Sequence, residues 1–157
     1  MPSEARGTKT SYLVSHAGGK RLALPLADVI EVMRPLPVSR LEGAPEFVLG
    51  AAVVRGAPVP VIDAGALVGA APGGRTPSRL VSLRVGTRRA ALAVDELIGI
   101  HALDASELEA VPPLLRGVAA GAADAVAALD EELVLVLASA RLVPADVWRV
   151  LEGGDRP

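Results

Sequence analysis

The sequence reads as an all-β fold made of two small barrels, and two observations point there. Short runs rich in Val, Leu and Ile recur along the chain, punctuated by Gly and Pro turns, which is the pattern of barrels rather than of a layered α/β fold. The chain also echoes itself: residues 11–32 lie over residues 79–100 at a constant offset of 68, without gaps. Gly18 falls on Gly86, Arg21 on Arg89, Ala23 on Ala91, Leu24 on Leu92 and Ile30 on Ile98. Both copies run strand, glycine turn, strand, acidic residue, short β-branched strand, so two echoed units imply two small barrels.

The elements follow in order. Residues 1–10 are polar and small and read as a disordered lead-in. Tyr12-Leu13-Val14 begins a strand, Ala17-Gly18-Gly19-Lys20 turns it, and Leu22 to Leu26 returns. A short turn at Asp28 leads into Val29-Ile30-Glu31-Val32, which Pro35 and Pro37 break. Phe47 to Asp63 is a hairpin: Val53-Val54 suit a strand, and Arg55-Gly56 is the tight turn, with Gly56 free to take positive φ. Pro58 and Pro60 cannot donate to a ladder, so the second arm is expected to be an edge strand or the start of one. Ala64 to Val68 suits one helical turn, and 69–77 reads as a flexible surface loop.

Residues 80–85 and 89–94 form another hairpin around Gly86-Thr87, followed by Asp95 to Ile100. Asp104 and Glu107 have capping-box spacing for a short helix that Pro112-Pro113 ends. Residues 116–126 read as a Gly/Ala-rich loop, Leu133 to Leu137 as a fully apolar strand, and Pro144 as the first position of a last helix carrying Val147, Trp148, Val150 and Leu151, which Gly153-Gly154 ends.

Composition narrows the function. Apolar residues make up 51% of the chain and aromatics 2%, so the core is aliphatic. There is no cysteine, hence no disulfide framework, thiolate nucleophile or Cys-based zinc site. A net charge of −2 gives no basic footprint for nucleic acid. The first ten residues lack the apolar core of a secretory signal, and no apolar run reaches the ~20 residues of a membrane span. The expectation is a soluble cytoplasmic protein without membrane insertion.

No catalytic constellation is legible. His16 and His101 stand alone, and there is neither a G-x-S-x-G elbow nor a phosphate-cradling loop. Gly18-Gly19-Lys20 lacks the strand–loop–helix setting of a phosphate site. Asp63 and Asp95 each end an apolar strand, where aspartate commonly caps the next turn. No metal site or cofactor is expected. Glu31 and Arg55 are each a charge in an otherwise apolar setting. On a shared face they would form a charge-assisted, bidentate pair; on outward faces both would be solvated. Spacing leaves both readings open.

These residues carry a family pattern. The chain resembles the CheW-like domain family, the coupling proteins of bacterial chemosensory arrays, over about residues 11–152, with 153–157 as a tail. The motifs are Leu24-Pro25-Leu26-Ala27-Asp28-Val29-Ile30-Glu31-Val32, Pro45-Glu46-Phe47-Val48-Leu49-Gly50, Val54-Arg55-Gly56, Val59-Pro60-Val61-Ile62-Asp63 and Ala93-Val94-Asp95. Leu103 to Leu108, and the strand Leu133 to Leu137 before a short helix, match as well. The resemblance implies two five-stranded β-barrels of the SH3/OB-like kind sharing a hydrophobic core, with short helices and a C-terminal helix.

It further implies a non-enzymatic adaptor in chemotaxis signal transduction. Such an adaptor bridges the cytoplasmic tip of a chemoreceptor, a methyl-accepting chemotaxis protein, to the regulatory domain of a CheA-type histidine kinase. Val29, Glu31, Val32, Arg55 and Gly56 are the implied partner-binding residues, on or supporting a receptor-facing groove between the barrels, with Glu31 and Arg55 interacting. The chain departs from the family pattern at Ala64-Gly65, Val53-Val54, Pro58 and several alanines. That leaves room for a specialised member that binds only receptor or only kinase. An OB-like barrel for single-stranded nucleic acid is the reading from another class; it lacks the basic groove and the aromatics.

Overall fold

The computed structural model describes residues 9–70, 77–112 and 121–153. The expectations for most of the lead-in, for the centre of loop 69–77, for much of 116–126 and for the tail lie outside these residues. The strands are β1 (Thr10–Ala17), β2 (Lys20–Pro25), β3 (Val29–Met33), β4 (Val48–Val54), β5 (Ala57–Asp63), β6 (Arg79–Val85), β7 (Arg88–Val94), β8 (Glu96–Leu103), β9 (Ala123–Leu129) and β10 (Glu132–Leu137). The helices are α1 (Ala64–Leu67) and α2 (Ala145–Leu151), with 3-10 turns at Leu26–Asp28, Ala105–Glu107 and Ser139–Arg141.

The strands form two five-stranded sheets, ordered β8-β1-β2-β10-β9 and β3-β6-β7-β5-β4. The echo is structural. Adding 68 to β1, β2 and β3 lands on β6, β7 and β8, and the two sheet orders are the same under that exchange. Each unit keeps its first two strands and gives its third to the other sheet: β3 pairs with β6, and β8 pairs with β1.

Burial shows why the inner strands read as unbroken apolar runs. One side of the first sheet encloses Tyr12, Val14, Ala23, Leu103, Ala127, Val134 and Val136. One side of the second encloses Ala52, Val54, Val59, Val61, Leu80, Ala91 and Ala93. The alternate residues, including Leu13, Leu22, Leu24, Ile62, Leu83, Leu92 and Leu137, meet in one core between the sheets. An inner strand buried on both faces has no polar side to alternate with. The outermost strands of each sheet, β8 with β9 and β3 with β4, are not ladder neighbours. Each sheet is therefore open at one seam rather than a fully closed barrel.

Local sequence choices explain the joints. Asp63 caps α1, its Oδ1 accepting from the Gly65 amide (3.0 Å) and the Ala66 amide (3.3 Å). A Cβ placed on Gly18 would meet the Gly65 Cα at 2.9 Å, so the β1–β2 turn packs on α1 through two glycines. Asp95 does more than the turn-capping its sequence position suggests. Its Oδ2 accepts from the Gly18 amide at 3.0 Å, tying the second unit to the first unit's turn. Asp104 and Glu107 form the expected capping box around Ala105–Glu107. Pro144 is the N-cap of α2 rather than its first helical residue. Val147 and Trp148 bury into the shared core.

The edge-strand expectation for the second arm of the 47–63 hairpin needs correction. β5 lies inside its sheet, between β7 and β4, and β4 is the edge. The prolines fit for two reasons. Pro58 and Pro60 sit opposite Val53 and Ala51, and counting outward from the two-residue turn both positions are non-hydrogen-bonded toward β4. The pairing of β5 with β7 starts only at Val61. No ladder hydrogen bond is lost on either side.

Three hairpins turn on two residues with positive φ, and two of them place non-glycine residues there: Arg55 (51°) with Gly56 (82°) in one, Asp130 (53°) with Glu131 (68°) in the other. Glu131 occupies the conformation that glycine takes at the matching position. Glu131→Gly is therefore expected to raise stability by up to about 1 kcal/mol, read as a higher Tm in thermal melts; a lower Tm would show that Glu131 makes a contact outweighing its backbone strain. Gly50 (φ 145°) leaves no room for a Cβ, which would collide with the Ser39 carbonyl oxygen. Gly50→Ala should break the Ser39–Ala51 bridge and cost about 2 kcal/mol or more in chemical denaturation.

Candidate functional site at the mouth of the second sheet

Glu31 and Arg55 come together across the seam. Arg55 heads the turn between β4 and β5; Glu31 lies on β3, the opposite edge of the same sheet. The Arg55 Nε donates to Glu31 Oε2 at 2.9 Å, and its second guanidinium nitrogen donates to Oε1 at 2.6 Å. This is the bidentate fork that a guanidinium and a carboxylate are shaped for. Of the two readings left open by spacing, the paired one is realised. The Arg55 side chain nonetheless keeps 68% of its accessible surface and Glu31 keeps 25%.

A bulge aims Glu31. Val29 opposes Leu83 and Glu31 opposes Ser82, so Ile30 is the extra residue in the β3–β6 ladder. Val29 packs on the shared core, whereas Met33 packs on the interior cluster of the second sheet. Strand alternation alone would put Val29, Glu31 and Met33 on one face; the bulge rotates the strand between them. Glu31 thereby shares a face with Met33 and reaches the mouth. The same bulge recurs in β8, where Val14 opposes Gly99, Ser15 opposes Leu97, and Ile98 is the extra residue. At the places of Glu31 and Arg55 the first sheet has Gly99 and Asp130, so it carries no such ion pair.

The other implied partner-binding residues divide. Gly56 completes the turn. Val32 points away from Glu31 and is 39% exposed. Val29 is half-buried and supports from beneath. Two residues that sequence reading passed over also stand here: Arg84 on β6 and Arg89 on β7, Cα partners in the ladder. The signal was available, since a two-residue turn at Gly86-Thr87 sets that register.

Electrostatics follow the geometry. The Glu31 carboxyl is held below its ordinary range, first by the hydrogen bond from Arg55; desolvation opposes this, and the charges of Arg55 and then Arg89 add to the lowering. The Arg55 guanidinium is held above its own range by Glu31. Elsewhere the Tyr12 hydroxyl is pushed up by burial and then by the charge of Asp124; it belongs to the interior of the first sheet, not to this site. Among the described residues no cluster of His, Asp and Glu could hold a metal ion, and no helix is long and apolar enough to cross a membrane. The ion pair is preformed and solvent-facing, with the guanidinium held in place by both carboxylate oxygens.

That combination defines a mostly β protein of two five-stranded sheets with an exposed, bidentate ion pair at the mouth of one of them. The CheW-like domain family model matches residues 11–147, and the chain belongs to that family. Its fold is similar to the crystal structure of the scaffolding protein TtCheW from Thermoanaerobacter tengcongensis, with a TM-score of 0.73 at 23% identity, covering 83% of this chain and 90% of that one. No curated protein sequence matches the chain.

The pair carries a pH signature. Because the folded-state pKa of Glu31 is lowered, its contribution to stability is present at neutral pH. That contribution fades as pH falls through the ordinary carboxylate range toward the folded value. Glu31→Gln lacks it at every pH. The gap in Tm between the parent and this variant should therefore shrink as pH is taken from about 7 to about 3. A gap that is constant with pH would show that the pair makes no contribution through ionisation.

Proposed function

We propose that the chain is a non-enzymatic adaptor that couples chemoreceptors to a CheA-type histidine kinase in a cytoplasmic chemosensory array. In this reading Arg55 and Glu31 form the docking tip, with Gly56, Val32 and Val29 forming or supporting the surface around it. Family membership supports the scaffold role. The observation that carries the rest is the state of Arg55. A non-glycine residue in the left-handed region is strained, and an exposed ion pair contributes little stability. Strain held in a preorganised, solvent-facing fork is what binding uses, because ordering costs are met before the partner arrives. Receptor helices would lay an apolar stripe beside it, against surfaces such as exposed Val32.

The test is a pull-down of the purified protein against the host's receptor tips and CheA-type regulatory domains in separate arms. Both arms are expected to bind, and Arg55→Ala is expected to weaken at least one by about ten-fold while leaving the protein folded. Binding in one arm only would make the chain a single-partner member. Binding in neither, or an Arg55→Ala variant that binds like the parent in both, would overturn the proposal.

A further inference from the structure

The two sheets solve one position differently. In the first, His16 and Arg21 are Cα partners in the β1–β2 ladder, and the Arg21 Nε bonds Glu132 at 2.9 Å. Arg21 is thus neutralised by the residue that follows the Asp130-Glu131 turn. In the second, 68 residues on, Arg84 and Arg89 are the Cα partners. The residue that follows the matching Arg55-Gly56 turn is Ala57. An imidazole opposite an ion-paired guanidinium has become two guanidiniums with no ion pair among the described residues.

The register brings these cations close. Counting out from Gly86-Thr87, Val85 and Arg88 form the hydrogen-bonded pair, so Arg84 and Arg89 form the non-hydrogen-bonded pair, in which side chains approach most closely. Like charges directly opposed on a sheet face are destabilising. Arg84 donates to the Ala27 carbonyl oxygen at 3.1 Å and has no ion pair among the described residues. Arg89 makes neither a hydrogen bond nor an ion pair among the described residues, although its charge is felt by Glu31. Arg88, on the other face, is fully accommodated: it bonds Glu152 at 2.7 Å and lies 4.9 Å from the centre of the Trp148 ring.

Three guanidiniums, Arg55, Arg84 and Arg89, therefore stand at one mouth against Glu31, and the excess stays positive even when Asp28 is counted. The chain as a whole carries −2. We propose that Arg84 and Arg89 extend the docking tip into a cationic cradle for an acidic segment of a protein partner, supplying the carboxylates that Ala57 does not. This rests on the reading of the Glu31–Arg55 face as a docking face, and it adds the charge of what docks there. The field would also steer such a partner toward the tip.

The full-length chain, labelled for NMR, would be titrated with short poly-L-glutamate as the acidic probe and with poly-L-lysine and a DNA oligonucleotide as controls. The expected result is salt-sensitive binding of poly-L-glutamate, with the side-chain resonances of Arg89, Arg84 and Arg55 shifting first. The Arg84→Gln/Arg89→Gln double variant should bind about ten-fold more weakly. Its Tm should equal or exceed the parent's, because the opposed charges are gone. Arg21→Gln should bind as the parent does. Shifts centred elsewhere, a double variant that binds like the parent, or DNA binding as strong as poly-L-glutamate would each overturn the proposal. Mapping on the parent protein needs no variant, so a double variant that fails to fold leaves the test intact. If receptor and kinase fragments fail to bind while poly-L-glutamate maps to these arginines, the coupling role falls and the acidic cradle stands. If those fragments bind and the double variant binds them unimpaired, the cradle falls and the coupling role stands.

Discussion

The exchange of one strand between the two units is the constraint on which the rest of the structure depends. β3 leaves the first unit to pair with β6, and β8 leaves the second to pair with β1. Neither sheet is complete without a strand from the other unit. The inner strands must then be apolar on both sides: one side lines the interior of their own sheet and the other lines the core between the sheets. Two half-sized cores, each short of hydrophobic surface by itself, become one cooperative body. The hydrogen bond from the Gly18 amide to Asp95 reinforces the exchange where the second unit meets the first unit's turn.

The same exchange places the Glu31–Arg55 pair. A strand that crosses sheets arrives at an edge, and an edge strand can carry a charge because one flank faces solvent. The bulge at Ile30 turns that edge so that Glu31 leaves the core side and reaches the mouth. Both units keep the bulge, but only the second sheet loads the position with a carboxylate and answers it with an arginine. It is at this position that two otherwise matching sheets differ. Both sheets hold non-glycine residues at positive φ in this hairpin turn, but among the described residues only the second also opposes two arginines across a ladder with no ion pair to either.

Much of this was legible in the chain. Three hairpins follow from their glycine turns, the caps at Asp63 and Asp104 from side chains of fixed reach, and the two-unit plan from the repeat at offset 68. The β9–β10 hairpin escapes such a reading: it turns on Asp130-Glu131, without glycine, and the start of β9 reads as alanine-rich loop. Local chemistry of this kind is carried by neighbours in sequence, so one sequence suffices to read it. The order of motifs was enough to bring Val29, Glu31, Val32, Arg55 and Gly56 forward as a group, while their spacing left the pairing of Glu31 with Arg55 open. Pro58 and Pro60 misled because a proline excludes a donor only where a ladder needs one, and that depends on which neighbour begins to pair at which residue.

By itself, then, the sequence determined most of the strands, the glycine turns, the repeat and the aliphatic character of the core, because each depends on residues near one another along the chain. Tertiary structure alone decided which sheet received the third strand of each unit, and that β5 is interior. It also decided that the bulge swings Glu31 onto Arg55, and that Arg84 and Arg89 join them while Arg88 does not. These are outcomes of register and crossing, set by how two buried faces fit together. A shift of one residue in either would carry every side chain on the strand to the opposite face.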